Sequence, residues 1–191
     1  LKAFAIGKYQ DPQAYKIALD FVAVSYGSTE EGKKAKAILK HCKLEADDCI
    51  ALSVKHVLNK YKEGNTKCQV YIITSDKDYL QLAEPRVHIY NLGFKKITDQ
   101  KSCLGSAECD LFCKIVMGDI SDNIPSEFPK CGPKTALKYY ENQAEFQKRL
   151  QSSDAFISQY NTNKKIVDFN EIPVLLQNEF FTSFTKEVNE L

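Results

Sequence analysis

The chain has 191 residues, a formal net charge of +1 and a hydrophobic content of 43%. This length suits one domain, or one domain with a small appendage, and the hydrophobic content excludes a wholly disordered chain. The near-neutral charge excludes a uniformly basic nucleic-acid-binding protein, so a nucleic acid would have to bind at local patches. Seven cysteines without the spacing of a disulfide framework predict an intracellular, reducing compartment. No apolar run is long enough to span a membrane, so no membrane role is expected.

The first 27 residues carry the weakest structural pattern. Leu1–Gly7 predicts a short strand, whereas Ala18–Ser25 fits either a strand or a helix. Asp20 lies inside the second segment, where a capping or surface role is its ordinary explanation. A lysine-rich helix is predicted from about residue 28 to Cys42. Its lysines form a solvated face, which serves either solubility or contact with a DNA backbone.

Acidic residues then collect at the start of a helix predicted for Glu45–Tyr61. Carboxylates favour a helix N-terminus because they interact with its partial positive charge. Three acids within four residues, however, exceed what capping needs. These three are Glu45, Asp47 and Asp48.

A second pair of acids follows a predicted strand. Val70–Thr74 is β-branched and aromatic, as expected of a buried parallel strand, and Asp76 and Asp78 come directly after it. Functional groups of open α/β sheets collect at this end of the strands. Val87–Leu92 predicts another strand, and Lys95–Thr98 is expected to continue a hairpin.

The segment from Asp110 to Tyr140 predicts a helix, a turn rich in glycine and proline, and a second helix. The first helix is expected to end at Gly118, with Asp119 and Asp122 just beyond it. Pro133 suits the first position of the second helix. The start of that helix, with Lys134 and Thr135, predicts a site for an anion such as phosphate.

The C-terminal part predicts four pieces of structure. They are a polar helix over Asn142–Leu150, a short helix and loop over Ser152–Asn163, an extended segment over Ile166–Pro173 and a terminal helix over Glu179–Leu191.

Three motifs in order resemble those of the flap endonuclease and 5′-3′ exonuclease family. They are Glu45–Asp48, Thr74–Asp78, and Gly118–Pro125 followed by Lys130–Ala136. The resemblance implies an α/β, PIN-like fold with a mainly parallel central sheet flanked by helices and a helix-hairpin-helix subdomain. It also implies a nuclease core over 1–108, a DNA-binding hairpin subdomain over 109–160 and a segment over 161–191 that packs on the core.

The resemblance implies a structure-specific 5′ nuclease that hydrolyses DNA with two Mg²⁺ or Mn²⁺ ions. Two ions about 3.5–4 Å apart would activate water and stabilise the leaving oxygen. The implied catalytic and metal-binding acids are Glu45, Asp47, Asp48, Asp76, Asp78, Asp119 and Asp122. The implied contacts to the DNA backbone are Lys130, Gly132, Lys134, Thr135 and Lys138, with a K⁺ ion at the hairpin.

The implied substrates are 5′ flaps and nicked or branched duplexes, cut in replication or repair by a monomer that works with a polymerase or other replication proteins. Two early strands that carry aspartates in the family are not recognisable here, which predicts either an incomplete chain or an inactive relative. A non-catalytic protein that binds DNA structures is therefore the alternative function. A different Mg²⁺-dependent phosphohydrolase and a PIN-class RNase are the more distant alternatives, and neither explains the hairpin as well.

Overall fold

The computed structural model describes residues 2–6, 17–19, 41–60, 69–100 and 103–189. The chain divides into two compact units, which are residues 1–100 with 173–191 (the first unit) and residues 101–172 (the second unit). The division predicted at residues 108 and 160 stays a prediction. The predicted lysine-rich helix before Cys42 falls mainly on residues 28–40, which lie outside the described part.

The first unit contains a four-stranded sheet with the order β2-β1-β3-β4. The strands are β1 (Lys2–Ile6), β2 (Ile17–Leu19), β3 (Gln69–Ile73) and β4 (Val87–Tyr90). Strand β3 pairs in parallel with both β1 and β4, and β2 adds to β1 as an antiparallel edge. The mainly parallel sheet predicted from the sequence is thereby confirmed, and β3 lies at its centre.

The core of the first unit joins the sheet to two helices, α1 (Ala46–Lys60) and α6 (Val174–Asn189). Strand β3 buries every second side chain on one face, with Val70 and Ile72 fully enclosed, as the two-residue period of a strand requires. Helix α1 buries an apolar face of its own. Helix α6 contributes Phe180 and Phe184, which are 1% and 2% exposed. Burial of these aromatic rings fixes α6 to the first unit.

Two short 3₁₀ helices, Lys77–Leu82 and Ile97–Asp99, complete the first unit. The second corrects the sequence prediction, because Lys95–Thr98 was expected to continue a hairpin. Only one bridge forms there, between Tyr90 and Lys96, and the chain then turns into the 3₁₀ helix. Ile97 is 3% exposed, so its burial favours this inward turn over a second strand.

The second unit is helical and consists of α2 (Ala107–Met117), α3 (Pro133–Glu141), α4 (Gln143–Leu150) and α5 (Asp154–Val167). Its core is aromatic, with Phe128 and Phe146 at 3% and 1% exposure. The two predicted helices on either side of the turn are confirmed as α2 and α3. Gly118 has φ 70° at the end of α2, and Pro133 opens α3.

The expected extended segment over Ile166–Pro173 is wrong at its start, because α5 continues to Val167. Two β-branched residues suggested a strand, but Val167 is buried one helical turn after Asn163. The Asn163 amide donates to the carbonyl oxygens of Ile115 and Pro125 at 2.9 and 2.8 Å. These tertiary contacts hold the helix through residues that favour strands in isolation. None of the helices in the described ranges is long and apolar enough to cross a membrane.

Candidate metal centre

The residues that follow β3 hold two carboxylates in fixed positions at the carboxyl end of the sheet. The Thr74 amide donates to the Tyr90 carbonyl at 2.7 Å, which extends the pairing of β3 with β4 by one residue. The Thr74 hydroxyl then accepts a hydrogen bond from the Asp76 amide at 3.0 Å. The Asp76 carboxylate in turn accepts from the Asp78 amide at 3.0 Å and caps the 3₁₀ helix. This chain of contacts determines where both acids lie.

Asp47 supplies a third carboxylate from the first turn of α1, which packs against the 3₁₀ helix. One oxygen from each of Asp47, Asp76 and Asp78 lies within 4.8 Å of the others, and Asp47 is only 6% exposed. Two unit charges at this distance repel by roughly 3 kcal/mol at an effective dielectric constant of about 20. A divalent cation between them would remove this repulsion. We refer to Asp47, Asp76 and Asp78 as the acidic triad.

The Tyr79 side chain is fully buried, and its hydroxyl lies near enough to the acidic triad to sense the charges of all three carboxylates. Burial raises the pKa of the Tyr79 hydroxyl, and the negative charges of Asp47, Asp76 and Asp78 raise it further. The hydroxyl therefore stays protonated beside the acids. Oxygen-only ligands in such surroundings suit Mg²⁺, Mn²⁺ or Ca²⁺ better than a metal that prefers sulfur or nitrogen.

Glu45 and Asp48, the other two acids of the Glu45–Asp48 motif, have different surroundings from those of Asp47. The Asp48 carboxylate accepts a hydrogen bond from the Glu45 amide at 3.1 Å, which is half of a capping box for α1. Burial raises the pKa of Asp48, and the nearby Glu45 charge adds to the increase. Glu45 is exposed at the start of the helix. Asp48 thus has a structural task in addition to the metal role that the sequence suggested.

The second unit holds Asp119 and Asp122 on the loop after α2. The Lys114 ammonium group lies 2.9 Å from the Asp119 carboxylate and 3.8 Å from that of Asp122. The Asp119 carboxylate also accepts hydrogen bonds from the amide and hydroxyl of Ser121. Although burial opposes its ionisation, the contacts from Ser121 and Lys114 lower the pKa of Asp119 to about 2. Asp119 is therefore an anion at any physiological pH.

Gly118 allows this loop to close against the turn that follows. Asp119 and Ile124 exchange two backbone hydrogen bonds of 2.9 and 2.8 Å, which bring the two chain segments close together. A Cβ atom at Gly118 would collide with the carbonyl oxygens of Ile124 and Pro125, and φ at Gly118 is 70°. Only glycine meets both demands without strain.

The predicted DNA-backbone residues gather around the start of α3. Gly132 is its N-cap and has no capping side chain, while Lys134 and Thr135 are exposed. Lys130 is also exposed and has φ 61°. Lys138 differs, because its ammonium group already pairs with Glu145 at 2.8 Å. A phosphate at Lys138 would have to compete with that carboxylate.

The predicted K⁺ site at the hairpin stays a prediction. The resemblance implies main-chain oxygens as its ligands, and two such oxygens in the turn already have partners. The Val116 carbonyl accepts from the Glu127 amide and the Ser126 hydroxyl at 3.0 and 3.4 Å. The Phe128 carbonyl accepts from the Cys131 amide and the Ser126 hydroxyl at 3.2 and 2.8 Å.

Sequence reasoning missed three residues that shape these sites. Thr74 was placed in the strand and in the second motif without a role of its own, yet its hydroxyl positions Asp76. Tyr79 was not singled out, yet its buried hydroxyl lies near the three carboxylates of the acidic triad. Lys114 was not singled out, although it lies one helical turn before Gly118 and faces the acids of the next loop. Its place four residues before the helix end was the available signal for this contact.

Sequence comparisons agree with the predicted resemblance. Residues 33–109 match the family model for the 5′-3′ exonuclease N-terminal resolvase-like domain. A 5′-3′ exonuclease from Buchnera aphidicola is 36% identical over 114 residues, which are 56% of this chain and 36% of that protein. A DNA polymerase I from Treponema pallidum is 35% identical over 108 residues, which are 52% of this chain and 10% of that protein. The resemblance to the 5′-3′ exonuclease family is confirmed, and the chain spans only a minor part of these relatives.

The fold has a solved counterpart in a flap endonuclease of bacteriophage T5, determined as a pseudo-enzyme–product complex with DNA and metal ions. The TM-score is 0.55 at 14% identity, and the match covers 76% of this chain and 61% of the phage protein. At this identity the comparison shows the fold alone, which confirms the predicted α/β, PIN-like fold class.

Proposed function

We propose that this chain, whose residues 33–109 match the 5′-3′ exonuclease domain, is the nuclease part of a structure-specific 5′ nuclease that hydrolyses DNA phosphodiesters in replication or repair. The observation that carries the proposal is the acidic triad, with carboxylate oxygens within 4.8 Å of one another at the carboxyl end of a parallel sheet. Such a group is costly to fold unless a cation binds it, so a purely structural role explains it poorly.

The proposed ligands of the first ion are Asp47, Asp76 and Asp78, with Glu45 and Asp48 beside them. Asp119 and Asp122 are the proposed ligands of a second ion. Mg²⁺ is the preferred cation and Mn²⁺ its substitute, because every donor is a carboxylate oxygen. When bound, such ions lower the pKa of water and stabilise the charge on a leaving oxygen. The protein's own contribution is to hold the carboxylates in place through the Thr74, Asp76 and Asp78 contacts.

The proposed substrate is DNA with a 5′ flap, a nick or a branch. Support comes from the T5 flap endonuclease, whose fold this chain shares and which has been solved with DNA and metal ions. In the second unit, Lys130, Lys134 and Thr135 would contact phosphates at the start of α3. Contacts of this kind do not read sequence and weaken as salt displaces them. We therefore expect binding that depends on DNA structure and falls steeply with ionic strength.

The setting of the activity is part of the proposal. A DNA polymerase I contains a segment similar to this chain, which supports work beside a polymerase, whether fused or separate. We propose that the chain acts as a monomer in a reducing intracellular compartment. Five cysteines in the described part of the chain, Cys42, Cys49, Cys109, Cys113 and Cys131, are free thiols, which is compatible with such a compartment.

The test uses a duplex with a 5′ flap labelled at its 5′ end, incubated with the whole chain and either Mg²⁺ or EDTA. Cleavage that needs Mg²⁺ is expected. Asp76→Asn and Asp78→Asn should each lower the cleavage rate at least a hundredfold, because they remove one charge while keeping the side-chain shape. The matched control is Glu84→Gln, which alters an exposed acid of the same unit outside the triad.

Equal rates for Asp76→Asn and Glu84→Gln would refute the proposed metal role. Binding of the flap without any cleavage would instead support the alternative, a non-catalytic protein that recognises DNA structures through the α3 hairpin.

A further inference from the structure

Phe94 lies where folding alone would not select a phenylalanine. Its side chain is 78% exposed, so it contributes little to the core. Its backbone φ is 55°, in the left-handed region that glycine and asparagine adopt more readily than bulky residues. Phe94 therefore has two independent energetic costs, one from its exposed apolar ring and one from its left-handed backbone. Asparagine at this position would have neither. Costs of this kind persist at positions that have a function.

The loop that carries Phe94 is ordered by its own contacts. The Asn91 side chain accepts hydrogen bonds from the amides of Gly93 and Lys95 at 2.9 and 3.0 Å. The backbone of Asn91 exchanges further bonds with Lys95 and Phe94, each of 2.9 Å. The loop is thus held in one shape that presents the ring to solvent, and a ligand would bind it without first ordering it.

The loop also lies at the same edge of the sheet as the acidic triad. Strands β3 and β4 are parallel neighbours, and Ile73 pairs with Tyr90 at their carboxyl ends. Asp76 and Asp78 follow the first of these strands, and the Phe94 loop follows the second. Adjacent strands lie about 4.8 Å apart, so the two loops leave the sheet side by side.

The surroundings of the ring are basic and apolar. Lys95 and Lys96 follow Phe94 directly, and both are exposed. Lys96 lies 3.7 Å from Asp99 in an exposed pair, which a phosphate can replace at small cost. Leu92 adds apolar surface and is 53% exposed. An exposed aromatic ring next to lysines is the combination by which proteins bind single-stranded nucleic acid, with bases on the ring and phosphates on the lysines.

We propose that the loop from Asn91 to Lys96 is a binding site for single-stranded DNA, in which a base stacks on Phe94 and the flanking phosphates contact Lys95 and Lys96. The site rests on the proposed nuclease function and deepens it, since it assigns an unpaired strand, rather than duplex alone, to the sheet edge that carries the acidic triad. Charge complementarity favours DNA over a protein surface as the occupant, because a protein partner would have no general need for two adjacent lysines.

The experiment measures binding of a fluorescein-labelled oligothymidylate of twelve nucleotides by fluorescence anisotropy, in EDTA so that no cleavage occurs. Phe94→Leu should weaken binding about tenfold, because stacking of one base is lost while apolar surface remains. Phe94→Trp should bind as tightly as the wild type. Lys95→Gln should weaken binding and reduce its dependence on salt.

Phe94→Asn separates function from folding. Asparagine suits the left-handed backbone, so the melting temperature of this variant should equal or exceed that of the wild type while its affinity falls. The matched control is Val174→Ala, which removes a side chain that is 68% exposed in the same unit and should leave affinity unchanged.

The proposal is overturned if Phe94→Leu and Phe94→Asn bind the oligonucleotide as tightly as the wild type. It is also overturned, in favour of an apolar protein-docking loop, if Phe94→Leu and Phe94→Trp bind the oligonucleotide with the same affinity. Wild-type cleavage of the flap duplex together with either result would leave the nuclease function intact. If the wild type shows no Mg²⁺-dependent cleavage, the nuclease function is refuted. The oligonucleotide-binding assay, which is run in EDTA, would still decide whether Phe94 binds a single strand.

Discussion

Glu127 carries a carboxyl group that is buried and has no hydrogen-bond partner among the described residues. It lies in the turn between α2 and α3 and is only 3% exposed. Neither of its carboxyl oxygens accepts a hydrogen bond from the described residues. Burial therefore raises the pKa of Glu127 from an ordinary 4.5 to about 8. The ionisable groups that sense its charge are Cys131 and Tyr160.

The raised pKa makes stability depend on pH with a definite sign. Because the folded state holds this proton more tightly than the unfolded state, the contribution of Glu127 to stability is complete below pH 4.5 and is lost as pH rises to about 8. One pKa unit corresponds to about 1.4 kcal/mol, so between pH 5 and pH 9 the loss is about 4 kcal/mol. Glu127→Gln cannot ionise, and its stability relative to the wild type should rise by this amount over the same range.

Urea unfolding measured at each pH from 5 to 9 checks this expectation. The chain contains no tryptophan, so a Tyr139→Trp substitution carried by every protein gives a fluorescence signal from the second unit. Glu141→Gln is the control, since Glu141 is exposed at the end of α3. A difference between Glu127→Gln and the wild type that stays constant from pH 5 to pH 9 would refute the account of a dry, unpaired carboxyl group.

Three further predictions concern the loop after α2 and its support. Lys114→Met should raise the pKa of Asp119 above its value of about 2, and NMR titration of the carboxyl carbon in EDTA measures the increase; an unchanged pKa would mean that Ser121 alone sets it. Gly118→Ala should lower the free energy of unfolding by at least about 2 kcal/mol, because the new Cβ meets the carbonyl oxygens of Ile124 and Pro125, and a smaller loss in urea unfolding would show that the loop shifts easily. Asn163→Leu should cost about 2 kcal/mol or more in the same assay, since two buried carbonyl oxygens lose their donor, whereas Asn161→Leu, at an exposed position of α5, should be nearly neutral.

The sequence predicted the parts of the molecule in which local pattern and tertiary contacts agree. The β-branched run of β3 and the acids after it were visible because a parallel strand and its carboxyl end have simple signatures. The helix end at Gly118 and the start at Pro133 were visible because glycine and proline act on the backbone directly.

Features that depend on distant contacts were not predictable. The predicted end of α5 was wrong because Asn163 holds the helix through the β-branched residues that follow it. The hydrogen-bond partners of Asn163 are 48 and 38 residues away in the sequence. The different roles of Asp47 and Asp48 could not be separated either, since both are acids in the same helical turn. One faces the 3₁₀ helix and the other returns to its own helix start, and only the packing of α1 distinguishes them.

The most direct test of the account is a crystal structure of the chain soaked with Mn²⁺, with data collected at the manganese absorption edge. We expect an anomalous peak at the acidic triad, about 2.1 Å from carboxylate oxygens of Asp76 or Asp78, and loss of this peak in Asp78→Asn. An empty triad at a Mn²⁺ concentration that supports cleavage would contradict the claim that these carboxylates hold the catalytic metal.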